Sequence, residues 1–385
     1  MSLLNASVLS SQIREEALRL GFFKAGIASA HPLSCGNNFK KWLREGRHGA
    51  MGYLERQAAI RLDPARVLSS VRSIVVLAMN YCTGQALADS PLKGRISRYA
   101  WGGDYHAVVE ARLERLLDFI RRRQPSVEGL RYVDTGPVME KAWGAETSLG
   151  WIGKNTNLIT RERGSWFFIG VLLLNLELEE DAGSADFCGK CARCMQACPT
   201  GAIVAPYLLD ARLCISYLTI EFRGAIPRRL RPLIGNRVFG CDDCQEVCPW
   251  NRFAVGTAER ELTPAEGNLM PDLAPLIRMT PGEFKERFRA SPVWRATRDG
   301  FVRNLAVALG NSGMNEAVPA LEEAVRDKSP LVRAHAAWGL GQIASREACR
   351  GLRSALGQES DPEVFEEIHL ALQDCGRQRA PEPGL

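Results

Sequence analysis

The chain has 385 residues, of which 46% are hydrophobic and 24% charged, a composition ordinary for a globular protein. Its length exceeds that of one small domain, so two or three compact units are expected. Its formal charge of +5 permits a nucleic-acid partner without requiring one. The longest apolar run, residues 167–178, is too short to span a bilayer, and the first residues lack the pattern of an export signal. These features predict a cytoplasmic protein without a membrane segment.

Helical and strand patterns alternate up to residue 180. Residues 10–20 have helical spacing of apolar positions, and the β-branched run 73–79 predicts a buried strand. Asp104 is the predicted N-cap of a helix that runs to Arg123. A further strand, helix and strand are predicted over residues 130–134, 139–149 and 166–178. We therefore predict an α/β domain over residues 1–180, with the strand order left undetermined.

The C-terminal part of the chain is almost entirely helical in pattern and repeats itself. Residues 302–310 (VRNLAVALG) are echoed thirty positions later by residues 332–340 (VRAHAAWGL), and a weaker copy starts at Val364. Such spacing is typical of stacked helix pairs and resembles the HEAT repeat family. An ordinary helical bundle is the alternative. We predict an all-α, HEAT-like docking segment over residues 296–385, preceded by a linker and helical segment over residues 256–295.

Twelve cysteines are present, and eight of them lie between Cys188 and Cys248. In a reducing compartment, such a concentration indicates a metal or cluster site rather than structural disulfides. The four scattered cysteines are predicted to be ordinary thiols, at positions Cys35, Cys82, Cys349 and Cys375.

The cysteine-rich segment carries two ordered runs. The first, C-x-x-C-x-x-C-x-x-x-C-P from Cys188, is typical of two-cluster ferredoxins, in which the fourth cysteine ligates the other cluster. The second, C-x-x-C-x-x-x-C-P from Cys241, lacks one cysteine, for which Cys214 is the obvious replacement. We predict a ferredoxin-like domain over residues 181–255 with two 4Fe–4S clusters, the first held by Cys188, Cys191, Cys194 and Cys248 and the second by Cys198, Cys214, Cys241 and Cys244. Structural zinc is the alternative, against which the prolines after both runs and the three-residue last gaps argue.

Several further segments occur in an order that is similar to one family. They are IRLDP (60–64), SRYAWGGDYH (97–106), VDTGP (133–137), GWIGKN (150–155), CISYLT (214–219) and IGNR (234–237). With the cysteine runs and the repeats, these motifs resemble the epoxyqueuosine reductases, cobalamin-dependent iron–sulfur enzymes of the last step of queuosine biosynthesis on tRNA. The resemblance covers nearly the whole chain.

The resemblance implies a reaction and its cofactors. Two electrons and two protons remove the epoxide oxygen of epoxyqueuosine at the tRNA wobble position, by cobalamin-mediated chemistry fed by the two clusters and an unidentified low-potential electron donor. The order of these transfers, and whether a cobalt–carbon bond forms, stay open. The cobalamin is expected in the N-terminal domain, base-off and without a protein histidine on cobalt. His106 is accordingly expected to be an ordinary imidazole at a capped helix N-terminus.

Asp134 is the predicted catalytic residue. The resemblance implies a proton donor here, and a carboxylic acid serves that role near neutral pH only if burial raises its pKa. The alternative is an Asx-turn aspartate that accepts hydrogen bonds from the Thr135–Gly136 backbone. The cobalamin contacts that the resemblance implies are Arg61, Ser97, Asp134, Leu158, Ile169, Ser216, Cys241 and Asp242. Arg61 has the alternative of a helix-end arginine near Asp63, and Leu158 and Ile169 that of plain strand core.

Basic residues are dense between Arg223 and Arg237, beside Tyr217 and Phe222. Arginines with aromatic neighbours contact phosphates and stack on unpaired bases, whereas the alternative is a solvated basic loop. Arg303 and Arg333 recur at equivalent repeat positions and either face phosphates or brace neighbouring repeats. The predicted tRNA contacts are Arg223, Arg228, Arg229, Arg231, Arg303 and Arg333.

Two rival functions remain at this point. A ferredoxin module with a solenoid would serve as a non-catalytic electron-transfer scaffold, and a reductive dehalogenase-like enzyme also pairs clusters with cobalamin. The missing twin-arginine signal and the repeats argue against the dehalogenase. A monomer is expected, because no sequence feature indicates a large self-complementary surface.

Overall fold

The computed structural model describes residues 3–85 and 90–377. The chain forms two compact units, each assembled from separate segments. The first unit comprises Met1–Gly84, Asp104–Arg212 and Asp242–Thr263, and the second comprises Gln85–Gly103, Leu213–Cys241 and Pro264–Leu385. The predicted domains were continuous, whereas the observed units interleave. Residues 213–241, inside the predicted ferredoxin segment, belong to the second unit.

The regular elements are mostly short. The strands are β1 Lys24–Ser29, β2 Ser73–Asn80, β3 Arg95–Ile96, β4 Gly129–Tyr132, β5 Trp151–Ile152, β6 Leu158–Ile159, β7 Phe167–Leu174, β8 Ile203–Ala205, β9 Leu208–Leu209 and β10 Arg237–Phe239. The α-helices are α1 Leu3–Arg19, α2 Gly36–Arg44, α3 Gly52–Arg56, α4 Ala58–Leu62, α5 Tyr105–Arg123, α6 Glu140–Ala145, α7 Arg193–Ala197, α8 Ile215–Ile220, α9 Arg231–Ile234, α10 Asp243–Glu246, α11 Leu273–Leu276, α12 Pro281–Phe288, α13 Arg298–Asn311, α14 Val318–Ala324, α15 Pro330–Ile343, α16 Arg346–Leu356 and α17 Pro362–Arg377. Single 3-10 turns connect several of them.

The first unit is built on a four-stranded sheet of order β1-β2-β7-β4. Each neighbouring pair in this sheet is antiparallel. The alternating helix and strand signals predicted α and β elements but not strand direction, because pairing depends on contacts that are distant in sequence. The unit therefore combines helices with an antiparallel sheet rather than with the parallel sheet of a doubly wound fold.

Strand β2 is buried along its whole length. Its continuous apolar run suits a strand that is covered on both faces. Ile74 and Val76 pack in one cluster with Trp143 of α6 and with Leu149. On β7, Gly170 allows α5 to approach closely, because a Cβ there would lie 3.0 Å from side-chain atoms of Val109 and Leu113.

The predicted elements of the first unit are present but shorter at several ends. Helix α5 begins as predicted, and the Asp104 carboxylate accepts a hydrogen bond from the His106 amide. The strand predicted over 130–134 is β4, which ends at Tyr132. It ends early because Asp134 has a φ of 56°, a left-handed conformation that is incompatible with an extended strand. The predictions over 139–149 and 166–178 correspond to α6 and β7, which end earlier.

The second unit contains the repeat helices. Helix α13 packs on α15, and α15 packs on α17. The three similar sequence copies therefore form alternate helices of the chain, which lie side by side in one layer of the stack. Gly310 of α13 meets Gly339 of α15, and a Cβ on Gly310 would lie 2.6 Å from the Gly339 Cα. The close approach of these helices therefore depends on glycine at this crossing.

Cys349 of α16 and Cys375 of α17 form a disulfide. The sequence predicted ordinary thiols at both positions, and that prediction is wrong for this pair. Sequence spacing did not reveal that two helices of the last repeat bring the two buried cysteines together. Cys35 and Cys82 are free, as predicted.

Among the helices of the part that the structure describes, none combines the length and the apolar content needed to span a bilayer.

The glycine crossing gives a test of repeat packing. We expect Gly310→Ala to lower the free energy of unfolding by about 2 kcal/mol, because a methyl group pressed against backbone costs more than the helix propensity that alanine gains. Gly376→Ala is the matched control, since nothing lies within 4 Å of a Cβ there, and it should be neutral or stabilising by up to about 1 kcal/mol. Equal denaturation midpoints for Gly310→Ala and the unaltered protein would contradict the crossing.

Candidate active site and iron–sulfur centre

Four predicted ligands line one cavity of the first unit. Cys188, Cys191, Cys194 and Cys248 surround a space of about 190 Å³, whose remaining walls include Ile159 and Trp250. The first three cysteines lie on a loop that leads into α7, and Cys248 follows α10. Four cysteines that line one mainly apolar cavity are a donor set suited to a 4Fe–4S cluster, so these residues fit the group.

The GWIGKN motif, whose role the sequence did not reveal, holds the cysteine loop. The Lys154 ammonium donates hydrogen bonds to the Gly189 carbonyl at 2.6 Å and to the Cys191 carbonyl at 2.9 Å. Asn155 donates to the Cys244 carbonyl at 3.3 Å. Lys154 and Asn155 lie in the loop of the β5–β6 hairpin, so one hairpin contacts both cysteine runs.

The other four predicted cluster ligands are divided between the units. Cys198 and Cys244 belong to the first unit, and Cys214 and Cys241 belong to the second. All four are partly buried, and none forms a disulfide within the described residues. Within the first unit, the Cys198 sulfur accepts a hydrogen bond from the Ala202 amide at 3.3 Å, an interaction that suits a thiolate.

Asp134 lies on a strained turn in the first unit. Its φ of 56° is unusual for a residue other than glycine. Its carboxylate accepts a hydrogen bond from the Tyr105 hydroxyl at 2.7 Å, while the Thr135 amide bonds to the Val133 carbonyl. The Asx-turn alternative therefore does not describe this residue. The side chain is 69% exposed, so the turn presents the carboxylate at the surface of the unit.

His106 lies between two carboxylates, contrary to the expectation of an ordinary imidazole. Its Nδ1 is 2.7 Å from Asp104 Oδ1, and its Nε2 is 3.8 Å from Asp134 Oδ2. Burial lowers the pKa of His106, but the hydrogen bond to Asp104 and the charge of Asp134 outweigh it and raise the pKa to about 9. His106 is therefore an imidazolium at neutral pH.

The pKa of Asp134 differs from the sequence expectation. Desolvation by neighbouring protein atoms acts to raise it, but His106 and the Tyr105 hydroxyl lower it more, so the pKa lies below the ordinary value. The predicted rise by burial is wrong for the structure as it stands. At neutral pH, Asp134 is a carboxylate, and the nearest acidic proton lies on His106.

Glu140 and Arg61 are further ionisable groups beside this turn. Burial, together with the charge of Asp134, raises the pKa of Glu140 to about 7. Arg61 donates to the Val138 carbonyl at 3.2 Å and to Gln57 at 3.1 Å, whereas Asp63 pairs with Arg66. Glu140 Oε1 and Arg61 Nε are buried and have no hydrogen-bond partner among the residues that the structure describes.

The remaining predicted cobalamin contacts fall into two groups. In the first unit, Leu158 is core, Ile169 is the half-buried position of β7, and Asp242 is buried at the start of α10. The Leu158 side chain is therefore strand core, as the alternative had it, and only the Leu158 backbone remains available to contact cobalamin. Ser97, Ser216 and Cys241 belong to the second unit.

Tyr105 and Glu140 are ionisable neighbours of Asp134 that the sequence did not single out, and His106 was expected only as an ordinary imidazole. Tyr105 and His106 stand in the quoted SRYAWGGDYH motif, so their place in a shared motif was the available signal. Glu140 carried no signal, because its pKa depends on burial that only the folded chain defines.

Buried arginines correct part of the predicted tRNA surface. Arg303 is 0% exposed, and its guanidinium donates to the carbonyls of Leu218 and Phe222. Arg231 is also buried, and it donates to the Ile226 carbonyl. Phosphate contact is wrong for these two side chains, since each is buried within the second unit.

The other predicted tRNA arginines keep some exposure. Arg333 pairs with Glu359, which favours the bracing alternative. Arg228 pairs with Glu367 and Asp374, and Arg223 donates to the Ala296 carbonyl. Arg229 is exposed. For these four residues, contact with tRNA stays a prediction.

Three family models match this chain. The model described as "Epoxyqueuosine reductase QueG, DUF1730" matches residues 61–135. A 4Fe-4S double cluster binding domain matches residues 187–251, and HEAT repeats match residues 298–373. The cluster and HEAT predictions are therefore confirmed over the zinc and plain-bundle alternatives.

Named relatives cover almost the full chain. The epoxyqueuosine reductase of Escherichia coli is 39% identical over 90% of this chain and 93% of its own length, and that of Pseudomonas aeruginosa is 42% identical over 86% and 94%. The chain belongs to the epoxyqueuosine reductase family. It is thus an oxidoreductase with a 4Fe–4S domain, and the scaffold and dehalogenase alternatives are set aside.

Solved structures of this family have the same fold. A crystal structure of epoxyqueuosine reductase with an epoxyqueuosine-modified tRNA-Tyr stem loop has a TM-score of 0.90 and 31% identity, and it covers 96% of this chain and 99% of that one. The Bacillus subtilis enzyme, with its catalytic aspartate loop swung out of the active site, has a TM-score of 0.88 and 30% identity over 95% and 99%.

The pKa of His106 can be measured directly. We expect an NMR titration of its imidazole to give a pKa near 9, and Asp104→Asn to move it towards 6.5, because the strongest partner of the cation is then neutral. His106 thereby contributes stability that is fully present below pH 6.5 and is lost as the pH rises through about 9. The His106→Gln variant identifies the resonance. A pKa at or below 6.5 in the unaltered protein would contradict the bridging arrangement.

Proposed function

We propose that this protein reduces epoxyqueuosine to queuosine at the wobble position of tRNA. The observation that carries the proposal is full-length membership of the epoxyqueuosine reductase family, combined with a strained, ionisable turn at Asp134. A relative with the same fold binds an epoxyqueuosine-modified tRNA stem loop. The reaction consumes two electrons and two protons and releases the epoxide oxygen as water. Because its substrate is tRNA, we place the protein in the cytoplasm, and we expect a monomer.

Cobalamin fits the polar groups of the first unit. Arg61 Nε and Glu140 Oε1 are buried atoms that lack hydrogen-bond partners within the described ranges, and a corrin, with its amide-bearing rim, offers both donors and acceptors. A bound cobalamin would supply a cobalt centre that accepts electrons from the clusters. The Glu140 carboxyl, with a pKa of about 7, is available to donate to a corrin amide carbonyl. Ser97, Ser216, Cys241 and Asp242 stay proposed contacts from the family resemblance.

The proton for the epoxide oxygen is proposed to pass through Asp134. Asp134 is ionised in the structure, so it first has to take up a proton, and the His106 imidazolium is the neighbouring source. The 3.8 Å between His106 Nε2 and Asp134 Oδ2 is too long for a hydrogen bond. A small movement of the exposed turn would close it. The swung-out aspartate loop of the Bacillus subtilis enzyme supports such mobility here.

Asp134→Asn tests this role. We expect turnover of epoxyqueuosine-containing tRNA to fall by at least about 100-fold, because an amide cannot relay the proton, while cobalamin uptake and iron content stay unchanged. Asp118→Asn, an exposed change on α5, is the control and should retain full turnover. Turnover within threefold of normal for Asp134→Asn would remove this residue from the mechanism.

The division of ligands between the clusters is part of the proposal. The shared cavity of Cys188, Cys191, Cys194 and Cys248 supports the first set. The second set, Cys198, Cys214, Cys241 and Cys244, follows from the cysteine runs, in which the fourth cysteine serves the other cluster.

Cys248→Ala tests the division. Anaerobically prepared protein should fall from about eight to about four irons per chain, and Cys188→Ala should remove the same cluster, as judged by electron paramagnetic resonance. Cys214→Ala should remove the other cluster. Cys35→Ala is the control and should keep about eight irons. Loss of different clusters in Cys248→Ala and Cys188→Ala would refute the assignment.

The anticodon arm of tRNA is the proposed nucleic-acid partner. Arg223, Arg228, Arg229 and Arg333 keep exposure in the second unit, and exposed arginines are the side chains that contact phosphate. Arg229 is the strongest candidate, because it is exposed, whereas carbonyls or carboxylates engage the other three arginines.

A further inference from the structure

A set of exposed aromatic and cationic side chains surrounds the cavity of the first cysteine set. Phe187 and Trp250 line that cavity together with Arg252. Phe187 and Phe253 are each 41% exposed. Lys190 and Arg193 lie between the ligand cysteines and are exposed. We name this surface the cysteine-loop face, defined by Phe187, Lys190, Arg193, Trp250, Arg252 and Phe253.

The aromatic side chains of the face form one connected group. The ring of Trp250 lies 5.8 Å from that of Phe187 and 5.9 Å from that of Phe253, measured between centroids. Beneath them, Trp151 contacts both Phe187 and Trp250 at 5.1 Å. Exposed aromatic clusters of this kind are uncommon on a protein surface unless they meet a partner.

The charges of the face are mainly positive. The segment from Phe187 to Cys194 (FCGKCARC) carries two cations and no acid, and Pro249–Phe253 (PWNRF) carries one cation and no acid. Lys190 and Arg193 have no salt-bridge partner in the described part of the chain. The neighbouring acid Asp186 is engaged locally, since it accepts from the Cys188 amide and from the Tyr207 hydroxyl. Asp243 and Glu246 of α10 are acids of the second cysteine run, and they are partly exposed and exposed, respectively.

We propose that the cysteine-loop face docks a small acidic one-electron carrier protein, of the flavodoxin or ferredoxin kind. An apolar aromatic centre with a charged rim is the composition of a protein interface, and the positive rim selects an acidic partner. The face also forms the wall of the cavity, so a docked carrier approaches the first cluster site. An RNA partner is the less favoured reading, because the exposed arginines predicted to contact tRNA belong to the second unit.

The electron balance requires two such encounters for each turnover. In each, the carrier is oxidised by one electron and that electron is received at the first cluster site, with no bond or proton transferred between the proteins. The docking proposal rests on the proposed reductase function in one respect, since that function requires two electrons from an outside source.

Charge reversal on the face tests the proposal. The double variant Lys190→Glu, Arg193→Glu is compared, as anaerobic holoenzyme, with the control variant Arg115→Glu, Arg122→Glu, whose sites are exposed elsewhere on the first unit. The probe is an acidic flavodoxin. We expect its Kd at low salt, measured by calorimetry, and its rate of cluster reduction, measured by stopped flow, each to worsen at least about tenfold in the face variant.

Three readouts should not change in the face variant. Iron content, the rate of cluster reduction by dithionite at high salt and the affinity for tRNA should match those of the unaltered protein, because dithionite needs no docking site and salt screens its negative charge. Flavodoxin binding within twofold of normal, or an equal loss in the control variant, would overturn the proposal. A loss of tRNA affinity instead would identify the face as an RNA surface. Failure of dithionite-driven turnover in the unaltered protein would count against the proposed function alone.

Discussion

One ammonium group holds the cysteine loop of the first unit in place. Lys154 donates to two carbonyls of that loop, and its neighbour Asn155 reaches the second cysteine run. Short loops and helices of four or five residues cannot fix four thiols by their own stability. The β5–β6 hairpin supplies the missing constraint, since it orders both runs around one cavity. The arrangement of the four cysteines around the cavity depends on it, and so does the proposed entry of electrons at the first cluster site.

The proton chemistry depends on a balance among charges rather than on burial. Asp104, His106 and Asp134 together carry one positive and two negative charges at neutral pH, which explains why the pKa of the histidine rises while those of the carboxylates fall. Such a set stores its mobile proton on the imidazolium. A ligand that covers the exposed Asp134 would strengthen desolvation, raise the pKa of that carboxyl and favour transfer of the proton towards it.

Local sequence patterns predicted much of the fold and of the cluster centre. The cap at Asp104, the buried run of β2 and the cysteine spacing act over a few residues, so they are visible in sequence. Sheet order, the interleaving of the two units and the pairing of Cys349 with Cys375 depend on contacts far apart in the chain. The sequence also predicted a raised pKa for Asp134, because it revealed burial but not the side chains that contact this carboxylate. Its sign is set by Tyr105 and His106, whose side chains reach the turn only after α5 packs on β7.

The repeat arginines show how one sequence pattern serves two physical purposes. Arg303 and Arg333 occupy equivalent positions, yet Arg303 is enclosed among carbonyls and Arg333 forms an ion pair with Glu359 at a partly exposed site. Arg303 donates to the carbonyls of Leu218 and Phe222, whereas Arg333 donates to carbonyls of the loop before α15. Both recurring arginines thus make structural contacts, and Arg229, which is exposed and lies outside the recurring pattern, is the stronger candidate for phosphate contact. Exposure of an arginine side chain, rather than its recurrence in the repeats, is thus the better guide to an RNA surface on this unit.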